Sequence, residues 1–253
     1  MKVDVVLLAG ALNQGPLREC SQTNYEALIK IKGIPMVQYV AQAALQASSV
    51  EKIAVVGPID ELKAILDDKI DFYVQSQENI VANIKAGIRA LDSERKVLLL
   101  TSDIPLISGE TIDQFVYRCQ SRQAQFYYPI VSKEANKTKF PGTKRTYAHL
   151  REGTYTGGNL FVLDPGILDQ ASDFIDEILK LRKKPFRLSK LLGFKFIFNF
   201  LIRTLTIEEL EKRLNELTGC SATTLIFEYP EIGFDVDKPS DLTMMQNIMK
   251  QIN

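Results

Sequence analysis

The stretch that decides the fold is Val5-Val6-Leu7-Leu8-Ala9-Gly10, near the start of the chain. Its five apolar residues in a row predict a buried strand of a parallel sheet, because such strands are covered on both faces. The run ends at Gly10, in a loop rich in Asn, Gln, Gly, Arg and Ser. A strand ending in a glycine-led loop presents backbone N–H groups to phosphates at the carboxyl edge of the sheet. We therefore expect a ligand at this edge.

The rest of the first half alternates between strand-like and helix-like patterns. The predicted strands cover 3–9, 52–57, 71–75 and 97–102, and the predicted helices cover 36–48, 60–67, 78–91 and 108–121. Such alternation favours βαβ units around a mostly parallel sheet, which places the chain in the α/β class.

The second half of the sequence is less regular. Strands are predicted at 125–131 and 158–163, a long polar loop at 133–147 and a helix at 166–183. The basic residues between 180 and 190 form either a solvated helix face or a contact for an acidic substrate. We expect one domain over residues 1–253, with an irregular extension at about 180–222.

Composition excludes several classes of function. The chain has 31 basic and 31 acidic residues, so no overall positive field favours nucleic acid or an anionic membrane. Three widely spaced cysteines fit a reduced, cytoplasmic compartment, and a single histidine, His149, excludes a multi-histidine metal site. The apolar residues 191–202 are too few to span a bilayer and predict a buried strand or a homodimer contact.

Two acidic turns follow the pattern of the first loop. Asp103 follows the apolar run 97–100 after two polar residues and precedes Pro105, and Asp235-Val236-Asp237 precedes Pro239. Carboxylate oxygens at the edge of a parallel sheet suit a hard divalent cation. Asp235 and Asp237 lie two residues apart on an extended segment and share a face, so spacing does not choose between them.

Taken in order, the motifs resemble those of nucleotidyltransferases of the molybdenum-cofactor guanylyltransferase-like type, within the GT-A-like superfamily. The resemblance rests on Leu8-Ala9-Gly10, Ala27-Leu28-Ile29, Gly33-Ile34-Pro35-Met36-Val37, Ser102-Asp103-Ile104-Pro105, Thr156-Gly157-Gly158-Asn159 and the run from Asp235 to Leu242. These motifs extend over nearly the whole chain. The resemblance implies a three-layer α/β/α sandwich with a mixed sheet and a Rossmann-like nucleotide-binding half.

The resemblance also implies a reaction and a set of site residues. A phosphorylated small-molecule acceptor would attack the α-phosphorus of a nucleoside triphosphate and release pyrophosphate. Mg²⁺ would be held by Asp103 and Asp237, with Asp235 as the competing ligand. The implied roles are nucleotide binding by Leu8, Ala9, Gly10, Ala11, Gln75, Asn79 and Ser102, acceptor binding by Gly158 and Asn159, and charge stabilisation by Arg18 and Lys30.

The first loop departs from the family pattern at three positions. Ala11 stands where a second glycine is usual, Arg18 comes about three residues late, and Glu26 fills the position of the loop lysine. Either Lys30 or Lys32 would then supply the missing positive charge, or Arg18 would serve alone. Two alternatives therefore stay open: a glycosyltransferase using a nucleotide-sugar, which the D-x-D pattern at Asp235 suggests, and a homologue that binds nucleotide without catalysis.

Overall fold

The computed structural model describes residues 1–66, 68–143, 145–168 and 193–251. Its strands are β1 (Val3–Leu8), β2 (Lys30–Ile31), β3 (Ile34–Pro35), β4 (Val50–Gly57), β5 (Phe72–Gln75), β6 (Val97–Thr101), β7 (Phe126–Ser132), β8 (Ala148–Leu150), β9 (Gly153–Gly157), β10 (Leu160–Leu163) and β11 (Ala222–Ile226). Its helices are α1 (Met36–Gln46), α2 (Ile59–Lys63), α3 (Ile80–Leu91), α4 (Gly109–Cys119), α5 (Lys133–Lys139), α6 (Phe194–Leu201), α7 (Ile207–Thr218) and α8 (Pro239–Gln251).

Nine of the described strands form one mixed sheet. Its order is β5-β4-β1-β6-β10-β7-β9-β8, and β11 pairs with β7. The strands from β5 to β6 are parallel, as is the β7–β11 pair, whereas β10 runs antiparallel to both of its neighbours. The α/β class and the mixed sheet predicted from the sequence are confirmed.

Helices cover both faces of the parallel half. Val5 and Leu7 of β1 point into a core shared with α1 and α4, and Val6 points into a second core shared with α3. Alternate burial on two sides is what a central parallel strand requires. The predicted three-layer arrangement is therefore present, and β1 is buried between the helices from Val3 to Leu7.

The carboxyl ends of the central strands line up at one edge of the sheet. Leu8 at the end of β1 is in register with Thr101 at the end of β6, and Gly57 of β4 is in register with Gln75 of β5. The loops that follow these strands therefore lie side by side. This edge carries the first loop, Asp103 and the turn before α3.

Two local predictions from the sequence are wrong. Residues 133–139 form helix α5 rather than part of a loop, because the Ser132 side chain caps its first turn by accepting from the Ala135 N–H at 3.1 Å. The run 191–202 contains helix α6 rather than a buried strand, and Phe198 and Leu201 are 61% and 70% exposed. The alternative of a homodimer contact there stays a prediction.

The segment 180–222 falls partly outside the described residues. The predicted helix at 166–183 is described only to residue 168, and the basic residues at 180–190 lie outside the described ranges. From residue 193 onward the segment contains α6 and α7, and α7 begins with a capping box formed by Thr206 and Glu209. Among the described residues, no helix is both long and apolar enough to cross a membrane.

Candidate active site

Three carboxylates that are distant in sequence meet at the carboxyl edge of the sheet. Asp103 follows β6, whereas Asp235 and Asp237 lie just before α8. One oxygen from each carboxylate lies within 4.8 Å of the oxygens from the other two. In the ranges that the structure covers, no other group of three or more acidic, histidine or cysteine side chains lies close enough together to share a metal ion. The two acidic turns singled out in the sequence therefore meet, while their role as metal ligands stays a prediction.

Hydrogen bonds hold these turns against each other. The Val236 N–H donates to the Asp103 carbonyl oxygen at 3.0 Å. The Thr101 hydroxyl donates to the Asp103 carboxylate, and the Thr101 N–H donates to the Asn159 carbonyl at 3.4 Å. The cluster is thus anchored by β6, by the turn before β10 and by the C-terminal segment.

The surroundings of the carboxylates oppose their ionised forms. Burial raises the pKa of Asp103 to about 6; the Thr101 hydrogen bond opposes the rise, and the charges of Asp235 and Glu26 add to it. The pKa of Asp237 rises to about 7, through burial first and then through repulsion from Asp235 and Asp103. A bound divalent cation would relieve both the burial and the repulsion. The donor set is therefore suited to Mg²⁺, which prefers oxygen ligands.

Arg145 forms an ion pair with this cluster. One nitrogen of its guanidinium donates to the Asp235 carboxylate, and the other donates to the Asp235 carbonyl oxygen at 3.1 Å. The guanidinium also lies 5.0 Å from the centre of the Phe234 ring, and the side chain is only 10% exposed. Sequence reasoning missed this residue, because a basic residue in a polar loop carries no signal of a partner so far along the chain.

A cavity of about 240 Å³ opens beside the carboxylates. Its lining includes Arg145, Thr156, Asn159, Asp235, Asp237 and Lys238. Hydroxyl, amide and charged groups dominate this wall, so the cavity suits a small hydrophilic molecule. Asn159, predicted to contact an acceptor, thus lines the same cavity as Asp235 and Asp237.

The Gly157-Gly158 pair makes close backbone packing possible at this cavity. A Cβ atom at Gly157 would lie 1.9 Å from the Tyr128 hydroxyl, and one at Gly158 would lie 2.7 Å from the side chain of Ile232. The Gly158 N–H donates to β7, and the Asn159 N–H donates to the Ile232 carbonyl at 2.8 Å. The turn therefore has a packing role, and acceptor contact by Gly158 and Asn159 stays a prediction.

The start of the first loop is tightly packed against the neighbouring strand ends. A Cβ atom at Gly10 would lie 2.7 Å from the Ser76 Cβ, so this position needs glycine. The Ala9 N–H donates to β4 at 2.8 Å, and the buried Ser102 donates its N–H to the Leu8 carbonyl at 3.2 Å. These backbone groups thus shape the edge at which nucleotide binding is predicted.

The polar residues after β5 lie beside this loop. Gln75 ends β5 and is exposed next to Ser76. The Asn79 side chain caps α3 by accepting from the Ala82 N–H at 2.9 Å. Its amide oxygen therefore has a structural role, and base contacts by Gln75 and Asn79 stay predictions.

The cations predicted to face the phosphates are differently placed. Arg18 donates from its guanidinium to the carbonyl oxygens of Gln22 and Thr23 at 3.0 and 2.9 Å. Lys30 is exposed in β2, whereas Lys32 donates to a carbonyl of α8 at 3.2 Å. Arg18 would have to exchange its carbonyl partners to bind a phosphate, and Lys32 is already engaged away from the cluster.

Glu26 brings negative charge to the first loop. Its N–H donates to the Ala11 carbonyl at 3.0 Å, and one of its carboxylate oxygens is 3.7 Å from where a Cβ at Gly15 would lie. Burial raises the pKa of Glu26, and its charge contributes to the raised pKa of Asp103. The loop thus has an acidic side chain at the position where the resembled family has a lysine.

The sheet is mixed, and one of its edges carries the glycine-led first loop and the clustered carboxylates. This is the arrangement of a nucleotide-dependent transferase. Residues 23–185 match the family described as the MobA-like NTP transferase domain. That match spans more than half of the 253 residues, and the chain belongs to this family of transferases. The matched range contains Asp103 and Asn159 and excludes Gly10 and Asp235.

Solved structures agree with this assignment. A structure described as a hypothetical transferase from Thermus thermophilus is 33% identical, with a TM-score of 0.84 over 96% of this chain and 100% of that one. A CMP:2-keto-3-deoxy-manno-octonic acid synthetase complexed with CTP shares the fold at 13% identity, with a TM-score of 0.65 over 100% of both chains.

Curated relatives match over a shorter range. The bifunctional protein GlmU of Caldanaerobacter subterraneus subsp. tengcongensis is 33% identical over 117 residues, which is 45% of this chain and 24% of that protein. GlmU of Bacillus subtilis is 31% identical over 104 residues, which is 40% of this chain and 23% of that protein. The matched region is therefore about a quarter of these relatives.

Proposed function

We propose that this chain transfers a nucleoside monophosphate from a nucleoside triphosphate to a phosphorylated small-molecule acceptor. The observation that carries the proposal is the convergence of Asp103, Asp235 and Asp237 at the sheet edge beside the first loop. Family membership supports nucleotidyl transfer in general. The CTP in the synthetase structure supports a nucleoside triphosphate as one substrate.

Asp103 and Asp237 would hold Mg²⁺, with Asp235 as a further oxygen donor. When bound, the ion would supply positive charge and fixed oxygen geometry at the phosphates. Backbone N–H groups between Gly10 and Gly15 would bind the outer phosphate oxygens. Lys30, and Arg18 after leaving its carbonyl partners, would add positive charge.

The transfer requires the protein to align the two substrates and does not require a covalent bond to the protein. An acceptor phosphate oxygen attacks the α-phosphorus, and a new P–O bond forms there. The bond from the α-phosphorus to the oxygen bridging to the β-phosphate breaks, and pyrophosphate leaves with the electron pair. Gly158 and Asn159 would place the acceptor in the cavity, next to the carboxylates.

Calorimetric titration with ATP, CTP, GTP and UTP in the presence of Mg²⁺ tests the proposal. We expect at least one to bind and Asp103→Asn to lose the Mg²⁺-dependent part of that affinity. A panel of phosphorylated small molecules, assayed for pyrophosphate release, then tests which compound serves as the acceptor. Failure of all four triphosphates to bind would count against nucleotidyl transfer.

The second candidate is a glycosyltransferase that uses a nucleotide-sugar. It is favoured by the observation that both acids of the D-x-D pattern, Asp235 and Asp237, lie in the carboxylate cluster. Glycosyl transfer releases a nucleoside phosphate and no pyrophosphate, so analysis of the products separates the two activities. Nucleotide binding without turnover, unchanged in Asp103→Ala, would instead favour the non-catalytic alternative suggested by Glu26.

A further inference from the structure

Arg145 occupies the boundary between the carboxylate cluster and the cavity. We propose that Arg145 is a resident counter-cation that a divalent ion displaces from Asp235, and that the released guanidinium then binds an anionic group of the acceptor. This inference rests on the proposed function. It assigns to Arg145 a positioning and specificity role that links metal binding to acceptor binding.

The charges of the cluster support the first step, in which a divalent ion displaces the Arg145 guanidinium from Asp235. The three carboxylates, when ionised, carry three negative charges, and the Arg145 guanidinium in contact with Asp235 carries one positive charge. Two negative charges therefore stay uncompensated within the cluster, and this excess attracts a divalent cation to the same carboxylates. The guanidinium and such an ion would compete for the Asp235 carboxylate and would repel each other at this short range.

The contacts of Arg145 allow its head group to turn without leaving the site. Besides the carboxylate, it holds the Asp235 carbonyl oxygen at 3.1 Å and lies against the Phe234 ring. Neither contact requires the Asp235 carboxylate. Loss of that carboxylate to a metal ion would thus leave the guanidinium anchored at the cavity wall.

Burial then makes a new anionic partner necessary. The Arg145 side chain is 10% exposed, and a poorly hydrated cation without a counter-charge is costly. The adjoining cavity also presents Thr146, Thr156 and Asn159, whose hydroxyl and amide groups can hold a polar ligand around the anion. A guanidinium binds phosphate or carboxylate oxygens through two parallel N–H donors, which a lysine cannot reproduce. The acceptor class is therefore a small hydrophilic molecule with an anionic group.

Two titrations test this coupling. Binding of Mn²⁺ alone, followed by electron paramagnetic resonance, should be about tenfold tighter in Arg145→Gln than in the wild type, because a competing positive charge is gone. Inorganic phosphate, titrated calorimetrically with Mn²⁺ present, should bind the wild type and lose about tenfold in affinity in Arg145→Gln. Arg145→Lys should retain wild-type Mn²⁺ affinity and bind phosphate weakly.

Arg122→Gln is the matched control, because Arg122 makes a two-pronged ion pair with the buried Glu211 elsewhere in the protein. It should leave the Mn²⁺ affinity and the phosphate affinity unchanged.

If Arg145→Gln binds Mn²⁺ as the wild type does, or more weakly, Arg145 is only a structural partner of Asp235 and the inference is overturned. Unchanged phosphate binding in that variant would also overturn it. If the wild type fails to bind Mn²⁺, the failure is that of the proposed metal site. Should Arg145→Gln not fold, phosphate affinity in Arg145→Lys equal to wild type overturns the inference.

Discussion

At the residue scale, Asp103 is a carboxyl group whose folded surroundings favour its protonated form. Burial raises its pKa to about 6, so the folded state holds this proton more tightly than the unfolded chain does. Its contribution to stability is therefore greatest below the ordinary carboxyl pKa and is lost as the pH rises through about 6. Asp103→Asn should raise the free energy of unfolding of the metal-free protein at pH 8 by about 1–2 kcal/mol.

Urea denaturation with EDTA present measures this gain, which should vanish at low pH, where Asp103 is protonated. Asp113→Asn serves as a control of opposite sign. Ser48 and Ser49 donate four hydrogen bonds to the Asp113 carboxylate and lower its pKa. That substitution should destabilise the protein at pH 8. A loss of stability in Asp103→Asn at pH 8 would contradict the interpretation of the site as an electrostatically strained cluster.

Glu26 gives a second prediction at this scale. Its charge adds to the repulsion around Asp103 and occupies the position of the family's loop lysine. Glu26→Lys should tighten triphosphate binding by about tenfold in calorimetry, since a repulsive charge becomes an attractive one. Glu26→Gln, which only removes the negative charge, should give a smaller gain. Equal or weaker binding in Glu26→Lys would place the triphosphate away from this side chain.

At the scale of secondary-structure elements, the turn between β9 and β10 is limited by the Tyr128 ring. A Cβ atom at Gly157 would lie 1.9 Å from the Tyr128 hydroxyl, so the ring must move. Gly157→Ala should therefore destabilise the protein by about 1–3 kcal/mol in thermal or urea unfolding. Gly166→Ala is the matched control, because no atom of the described residues lies within 4 Å of the added Cβ.

Removing the hydroxyl with Tyr128→Phe should recover part of the loss caused by Gly157→Ala. The ring carbon would still lie 2.9 Å from the new Cβ, so the recovery should be incomplete. A double-mutant cycle over Gly157→Ala and Tyr128→Phe measures this coupling. Additive effects of the two substitutions would show that the turn relaxes away from Tyr128 instead.

Long apolar runs were the elements that sequence alone predicted well. Strands β1 and β6 end within one residue of their predicted positions, because central strands are buried on both faces and need continuous apolar side chains. Helix α5 was missed because its polar composition resembles that of a loop. The Ser132 cap stabilises the helix only after the chain has turned at the end of β7. In α6 the aromatic run suggested a buried strand, although the segment is a helix and its described side chains, at 196–201, are half-buried or exposed.

At the scale of the whole molecule, the same contrast holds for the candidate site. Asp103, Asp235 and Asp237 were recognisable in the sequence because each lies in a turn whose local pattern suggests a ligand. Arg145 was not, since its partner Asp235 is 90 residues away and only tertiary packing joins them. Long-range charge pairing of this kind leaves no periodic or local trace. The extent of the domain over residues 1–253 stays a prediction.

The C-terminal segment connects the candidate site to a core of its own. Met245 of α8 is fully buried in a cluster with Leu17, Ile31 and Phe234, next to the acidic turn at Asp235. Packing of α8 against residues 17–36 therefore sets the position of that turn relative to Asp103. Met245→Ala should cost about 2–4 kcal/mol of stability and should weaken Mn²⁺ binding several-fold, although Met245 is not part of the carboxylate cluster.

Leu91→Ala provides the comparison that separates stability from site geometry. Leu91 is 1% exposed at the C-terminal end of α3, in the core on the other face of the sheet. The Leu91→Ala variant should lose about as much stability as Met245→Ala, because a buried side chain of similar size is removed. Its Mn²⁺ affinity, measured by paramagnetic resonance well below the unfolding midpoint, should match the wild type. If both variants weaken Mn²⁺ binding equally, general loosening of the fold is responsible. If neither variant weakens Mn²⁺ binding, the acidic turn keeps its position without the packing of α8, because the hydrogen bond from Val236 to Asp103 is enough to hold it.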